Sequence, residues 1–138
     1  MLRVTADLDN LNTIRDFVEQ YAVALGMPPA DVYGVVLAVD EAATNICVHG
    51  YKGQPGIIEV SLEQDEPFLI IRIRDEAPQF DPTSLPPPNL SGTIEERALG
   101  GMGIHFMRNY VDEITHRVVS SRGNELVLKK RIRGEKYP

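Results

Sequence analysis

Three places in this chain put polar groups where they can do chemistry. In Asp40-Glu41-Ala42-Ala43-Thr44-Asn45, Glu41 and Asn45 stand four residues apart inside an otherwise apolar, small-residue segment. On a helix they share one face. A carboxylate and a carboxamide oxygen one turn apart can meet a single ligand, the amide oxygen suiting a hard cation such as Mg²⁺; the alternative is a solvated helix face. The second place is Asp75, next in register after Leu69, Ile71 and Ile73 along a strand pattern. If those three face the core, Asp75 is an acid at its mouth and needs hydrogen-bond donors; the alternative is a turn-forming Asp that caps the following loop. The third is Gly100-Gly101-Met102-Gly103 at a loop-to-helix junction. Glycines there let backbone N–H groups approach an anion at a helix N-terminus, or they serve as a hinge. The cluster fits neither the G-x-x-x-x-G-K-[ST] loop nor the dinucleotide fingerprint.

The remaining reactive residues offer less. His49, His105 and His116 are far apart, and with Cys47 as the one cysteine they have no metal-ligand spacing, so structural or surface roles are expected. Cys47, between Ile46 and Val48, reads as packing. No Gly-x-Ser-x-Gly elbow is present, which disfavours a serine hydrolase.

The elements that must position these groups follow from periodicity. Leu11, Ile14, Phe17, Val18, Tyr21, Ala22 and Leu25 recur at helical spacing, with Asp9 or Asn10 as N-cap. Gly26 and Pro28-Pro29 stop that helix and start another, from Asp31 to about Val48, with Val32, Val35, Val36, Val39, Ala43 and Ile46 as its stripe. Strands are expected at Ile57–Leu62 and Phe68–Arg74, with Glu63–Pro67 as the turn. A short helix should run from the glycine cluster through Tyr110, with Ile104, Met107 and Val111 inward. Strands near Ile114–Ser120 and Glu125–Ile132 close the chain as a hairpin through Ser121–Asn124, and Met1–Thr5 can add an edge strand. Helices grouped together and strands in consecutive pairs predict a two-layer α+β sandwich. Its sheet is mixed, mostly antiparallel, and covered by helices on one face.

The 138 residues make one domain, 43% hydrophobic and 25% charged. Five of the ten prolines (Pro78, Pro82, Pro86, Pro87 and Pro88) fall between Ala77 and Leu99, so this stretch is expected to be a lid at about residues 77–99. A formal net charge of −6 gives no basic stripe for nucleic acid. No apolar run approaches the roughly 18–20 residues of a spanning helix, and the first residues lack a signal-peptide core, so a membrane role is not expected. One cysteine leaves no disulfide framework, and a reducing cytoplasm is the expected compartment.

In chain order the three places resemble one family. Glu41-Ala-Ala-Thr-Asn45-Ile-Cys-Val-His49-Gly50-Tyr51 resembles the N box of the GHKL, or histidine-kinase-like, ATPases. Asp75-Glu-Ala-Pro-Gln-Phe80-Asp81-Pro82 and Gly100-Gly-Met-Gly103-Ile are similar to its first and second glycine boxes. The likeness is nearest to the small anti-sigma-factor serine/threonine kinases, the RsbW-like group, and covers nearly the whole chain. It implies a Bergerat-type fold with ATP held between helices and sheet under the lid. Asp75 then matches the acid that reads the adenine amino group, Asn45 the Mg²⁺ ligand, and Gly100, Gly101, Met102 and Gly103 the phosphate-binding turn. Glu41 matches the general base that accepts a proton from the attacking hydroxyl. The implied partners are an anti-sigma-factor antagonist, phosphorylated on Ser or Thr, and a sigma factor, with a homodimer common in the group. No histidine-bearing dimerisation helix is present to suggest a sensor kinase.

One position departs from the pattern. The first glycine box usually carries glycine two residues after its aspartate, and here Ala77 stands there, followed by Pro78. An alanine against the base implies a shifted loop and weaker nucleotide binding. It is the reason to carry an alternative: a non-catalytic module that senses nucleotide or binds a partner.

Overall fold

The computed structural model describes residues 1–77, 110–119 and 123–133. Among these, five strands form one sheet: β1 (Leu2–Thr5), β2 (Ile57–Asp65), β3 (Phe68–Asp75), β4 (Glu113–Val118) and β5 (Asn124–Arg131). Their spatial order is β1-β2-β3-β5-β4. Every described pairing is antiparallel, so the expected mixture of directions is not seen. The reason lies in the β1–β2 connection. It contains two helices, α1 (Leu11–Ala24) and α2 (Pro29–Asn45). One runs away and the other returns, so β2 starts where β1 ended and Thr5 pairs with Ile57.

The helices cover one face. Ile14, Val18 and Ala22, spaced by four, line the buried side of α1, and Val32, Val35, Val39, Ala42 and Ala43 line that of α2. They meet Ile58 and Val60 of β2, Leu69, Ile71 and Ile73 of β3, and Leu126 and Leu128 of β5 in a single core. Small residues on α2 allow close approach: a Cβ on Gly34 would lie 2.8 Å from the ring of Tyr110.

Several boundaries differ from expectation. Asn10 is the N-cap of α1, yet its amide donates to the Thr5 carbonyl and hydroxyl (3.0 and 2.7 Å) and not into the helix. The second helix ends at Asn45, and a wider π-turn carries Ile46–Gly50. The polar residues Glu63, Gln64 and Asp65, expected in a turn, extend β2. Their backbones pair with Ile70, Leu69 and Phe68, and Glu63 accepts from Arg72 at 2.5 Å, leaving Glu66-Pro67 as the turn. The helix expected up to Tyr110 and nearly all of the expected lid fall outside the described residues.

The opposite face of the sheet carries charge. Arg3, Glu59, Arg74, Glu125 and Arg117 occupy one line of paired residues across all five strands. Arg3 meets Glu59 at 3.3 Å, while Arg74 and Arg117 each donate to Glu125 at 2.7 Å. The side chain of Glu125 is 3% exposed and those of its arginines 48% and 65%. Burial raises the Glu125 pKa, and hydrogen bonds and charge from both guanidinium groups outweigh it, holding the carboxyl below its usual range.

Candidate functional site

Asp75 ends β3 on the helix-facing side, as the alternation predicted, and is 8% exposed. Both expected roles are present in the one residue. Its Oδ1 accepts from the Ala77 backbone N–H at 2.9 Å, the turn-forming bond, and from Asn124 Nδ2 at 2.9 Å across the β3–β5 pairing. Among the described residues no donor bonds Oδ2. Burial pushes the Asp75 pKa up, and the Asn124 and Ala77 bonds and the positive field of His116 only partly oppose it. The result is a desolvated carboxylate with one oxygen fixed by neutral donors and the other available to accept from a ligand.

Ala77 is fully buried behind Asp75. Its carbonyl accepts from Gly123 N–H at 3.1 Å and from Asn124 Nδ2 at 3.4 Å, which ties the turn to β5. Lys52 is the one non-glycine residue with positive φ among those described, so Ala77 sits in a conformation open to any L residue. The turn as folded therefore does not require glycine there.

On α2, Glu41 and Asn45 differ in burial. Glu41 is partly exposed, and its pKa is raised by burial first and by the neighbouring Asp40 carboxylate second. Asp40 is itself paired with Arg15 of α1. Asn45 is 1% exposed, and among the described residues neither its Oδ1 nor its Nδ2 has a hydrogen-bond partner. A buried carboxamide without partners costs about 1–3 kcal/mol for each unsatisfied group. Such an orphan fits a site completed by something outside the described chain, and a carboxamide oxygen is an apt ligand for a hard cation. No cluster of three His, Cys, Asp or Glu residues stands ready to hold a metal among the described residues.

The structure brings Asp75 and Ala77 into one bonded cluster and puts Asn45 at the end of the helix over the same core. Gly100, Gly101, Met102 and Gly103 lie outside the described residues. A cavity of about 760 Å³ lined by Asp7, Cys47, Lys52, Gly53 and Gly56 contains none of the expected site residues. Three contributors escaped sequence reasoning. Asn124 holds Asp75, and His116 Nε2 lies 3.0 Å from Asn124 Oδ1. The signal for His116 was present, since it sits at an inward strand position where a polar residue is unexpected; Asn124 was expected in the hairpin turn and instead begins β5, opposite Val118. The third is Tyr51, whose hydroxyl accepts from the Glu76 N–H at 2.7 Å.

Fold and site together define a class. The chain matches the histidine kinase-like ATPase domain over residues 4–130 and belongs to that family, whose members use ATP. Within it, the chain is similar to the anti-sigma F factor of Halalkalibacterium halodurans, 30% identical over 134 residues covering 95% of this chain and 90% of the relative. It is likewise similar to the anti-sigma F factor of Geobacillus kaustophilus, at 28% over 135 residues with 95% and 90% covered. The serine-protein kinase RsbW of Bacillus subtilis is 27% identical over 140 residues, covering 98% and 86%. No helix among the described residues is long and apolar enough to cross a membrane.

Proposed function

We propose that the protein is an ATP-dependent serine/threonine kinase that phosphorylates an anti-sigma-factor antagonist and sequesters a sigma factor in the cytoplasm. The observation that carries the reading is the buried Asp75 carboxylate, held on one oxygen by neutral donors and left with an acceptor for a base amino group. The anti-sigma and serine-protein kinase names of relatives spanning nearly the whole chain supply its direction.

In this reading Asp75 Oδ2 accepts from the adenine amino group, and Ala77 backs the base. The glycine turn Gly100–Gly103 cradles the phosphates and residues 77–99 close over them. Asn45 Oδ1 is the group that would hold Mg²⁺, which supplies charge neutralisation on the phosphates. Glu41 takes the proton from the attacking Ser or Thr hydroxyl, and its partial burial beside Asp40 makes it a stronger base than a solvated glutamate. Phosphoryl transfer depends mainly on positioning and charge neutralisation, so Asn45 and the glycine turn carry at least as much of the rate as Glu41. Assembly as a homodimer is part of the proposal.

The test is phosphate transfer to a purified antagonist. Glu41→Gln should lower transfer by about 10²-fold or more while leaving ATP affinity within about twofold. Transfer unchanged in that variant removes Glu41 from the mechanism. Ala77 in place of glycine favours the second reading, a non-catalytic nucleotide sensor or partner-binding module. That reading gains if the wild-type protein transfers no phosphate yet binds its partner with an affinity that differs between ATP and ADP.

A further inference from the structure

The antiparallel pairing of β2 with β3 stops at Ile58 and Asp75. The next rung would join Ile57 to Glu76 through their backbones. Instead a side chain stands between them. The Tyr51 hydroxyl donates to the Ile57 carbonyl at 2.8 Å and accepts from the Ile57 N–H at 3.2 Å and the Glu76 N–H at 2.7 Å. One donor and two acceptor bonds saturate a phenol, so the oxygen is fully committed to these two backbones. The ring is 8% exposed and passes directly over Gly56, where any Cβ would run into it. Tyr51 also closes the π-turn that follows Asn45, its N–H reaching the Ile46 carbonyl at 2.8 Å.

From this we infer that Tyr51 is a positioning residue for nucleotide recognition, its hydroxyl ending the β2–β3 ladder one residue beyond Asp75 and so fixing the turn that aims the Asp75 carboxylate. The inference rests on the reading of Asp75 as the acceptor for the base amino group. A ladder that ran on through Glu76 would keep the strand extended past Asp75. With the rung bridged by a phenol, the Glu76 amide is satisfied and the chain is free to turn, so that Ala77 N–H can bond Asp75 Oδ1 at 2.9 Å. The same side chain links the end of the helix bearing Glu41 and Asn45 to that turn, so the two halves of the site share one rigid contact. Gly56 is the matching requirement, a backbone without a side chain where the ring must pass.

Tyr51→Phe removes the oxygen and keeps the ring. The measurement is the dissociation constant of the full-length protein for ATP and for purine riboside triphosphate, which lacks the 6-amino group. The wild type should prefer ATP. Tyr51→Phe should reduce that preference by about tenfold, as expected for the misaiming of one hydrogen bond to a charged group, while affinity for the purine analogue stays within about twofold. A loose fold would weaken both nucleotides alike, so equal losses overturn the positioning role, as does an undiminished preference for ATP. A wild type with no preference between the two nucleotides overturns the Asp75 reading itself, and the inference with it. Amide hydrogen exchange gives a check without ligand or variant: the Glu76 amide should be protected in the nucleotide-free wild type, and exchange at the rate of a free loop amide contradicts the bridge.

Discussion

Two carboxylates on adjacent rungs of the same strand pair meet opposite fates. Asp75 of β3 lies opposite Asn124 on the helix-facing side, and Glu125 of β5 lies opposite Arg74 on the other. Both are buried, at 8% and 2% exposure. Yet burial wins at Asp75 and its pKa rises, while at Glu125 two guanidinium groups win and its pKa falls. The difference is the kind of donor. Asp75 has an amide N–H and a carboxamide, which orient a carboxylate without neutralising it. Glu125 has two cations that use both of its oxygens. A desolvated acid with an oxygen to spare suits ligand recognition, and an acid clamped by two arginines suits strand cohesion.

Substitution at Asp75 should separate the two fates most sharply. Asp75→Asn retains an oxygen to accept from Ala77 and Asn124 but loses the charge and puts a donating NH2 where the free acceptor oxygen stood. ATP affinity should fall by about ten- to a hundredfold in a nucleotide titration, while the melting temperature holds or rises because a buried charge has been removed. A lowered melting temperature would mean that the charge itself supports the fold. Glu125→Gln should do the reverse. It leaves two guanidinium groups against a neutral amide, and urea unfolding should show a loss of about 1–3 kcal/mol with ATP affinity within about twofold.

The pH dependence of stability carries the same contrast with opposite signs. For Asp75 the folded pKa lies above the ordinary 3.8, so its contribution is fully present below that value and is lost as pH rises through the raised one. For Glu125 the folded pKa lies below the ordinary 4.5, so its contribution is present above that value and is lost as pH falls through the lowered one. Unfolding free energies of wild type and both variants, measured from about pH 7 to about pH 3, should therefore shift in opposite directions as acid is added: wild type gains on Asp75→Asn and loses its lead over Glu125→Gln. Parallel curves would refute the opposed shifts. The smallest effect belongs to Arg117→Ala, whose exposed guanidinium leaves Arg74 in place. Its loss should stay below about 1 kcal/mol and shrink with salt.

Much of this molecule was legible in one dimension. The alternation of Leu69, Ile71 and Ile73 placed Asp75 on the inner face because side chains alternate across a strand whatever surrounds it. Helical spacing put Glu41 and Asn45 one turn apart for the same kind of local reason. The order of elements and the helix-covered sheet followed from where apolar period and Pro or Gly breaks fall. Polarity misled at Glu63–Asp65, where solvent-facing strand residues look like a turn, because an exposed edge of a ladder tolerates the same side chains as a loop.

Sequence alone thus determined the candidate acids, the elements that carry them and the face on which each lies, since backbone periodicity is a local property. Only the tertiary structure decided what those groups meet. Asn124 is 49 residues from Asp75, and Glu76 is 25 residues from Tyr51. That Asp75 is raised and Glu125 lowered depends on whether neutral amides or guanidinium groups come to lie opposite them. That outcome is set by strand register, and strand register is fixed by burying Leu126 and Leu128 beside Ile73 and Ile71.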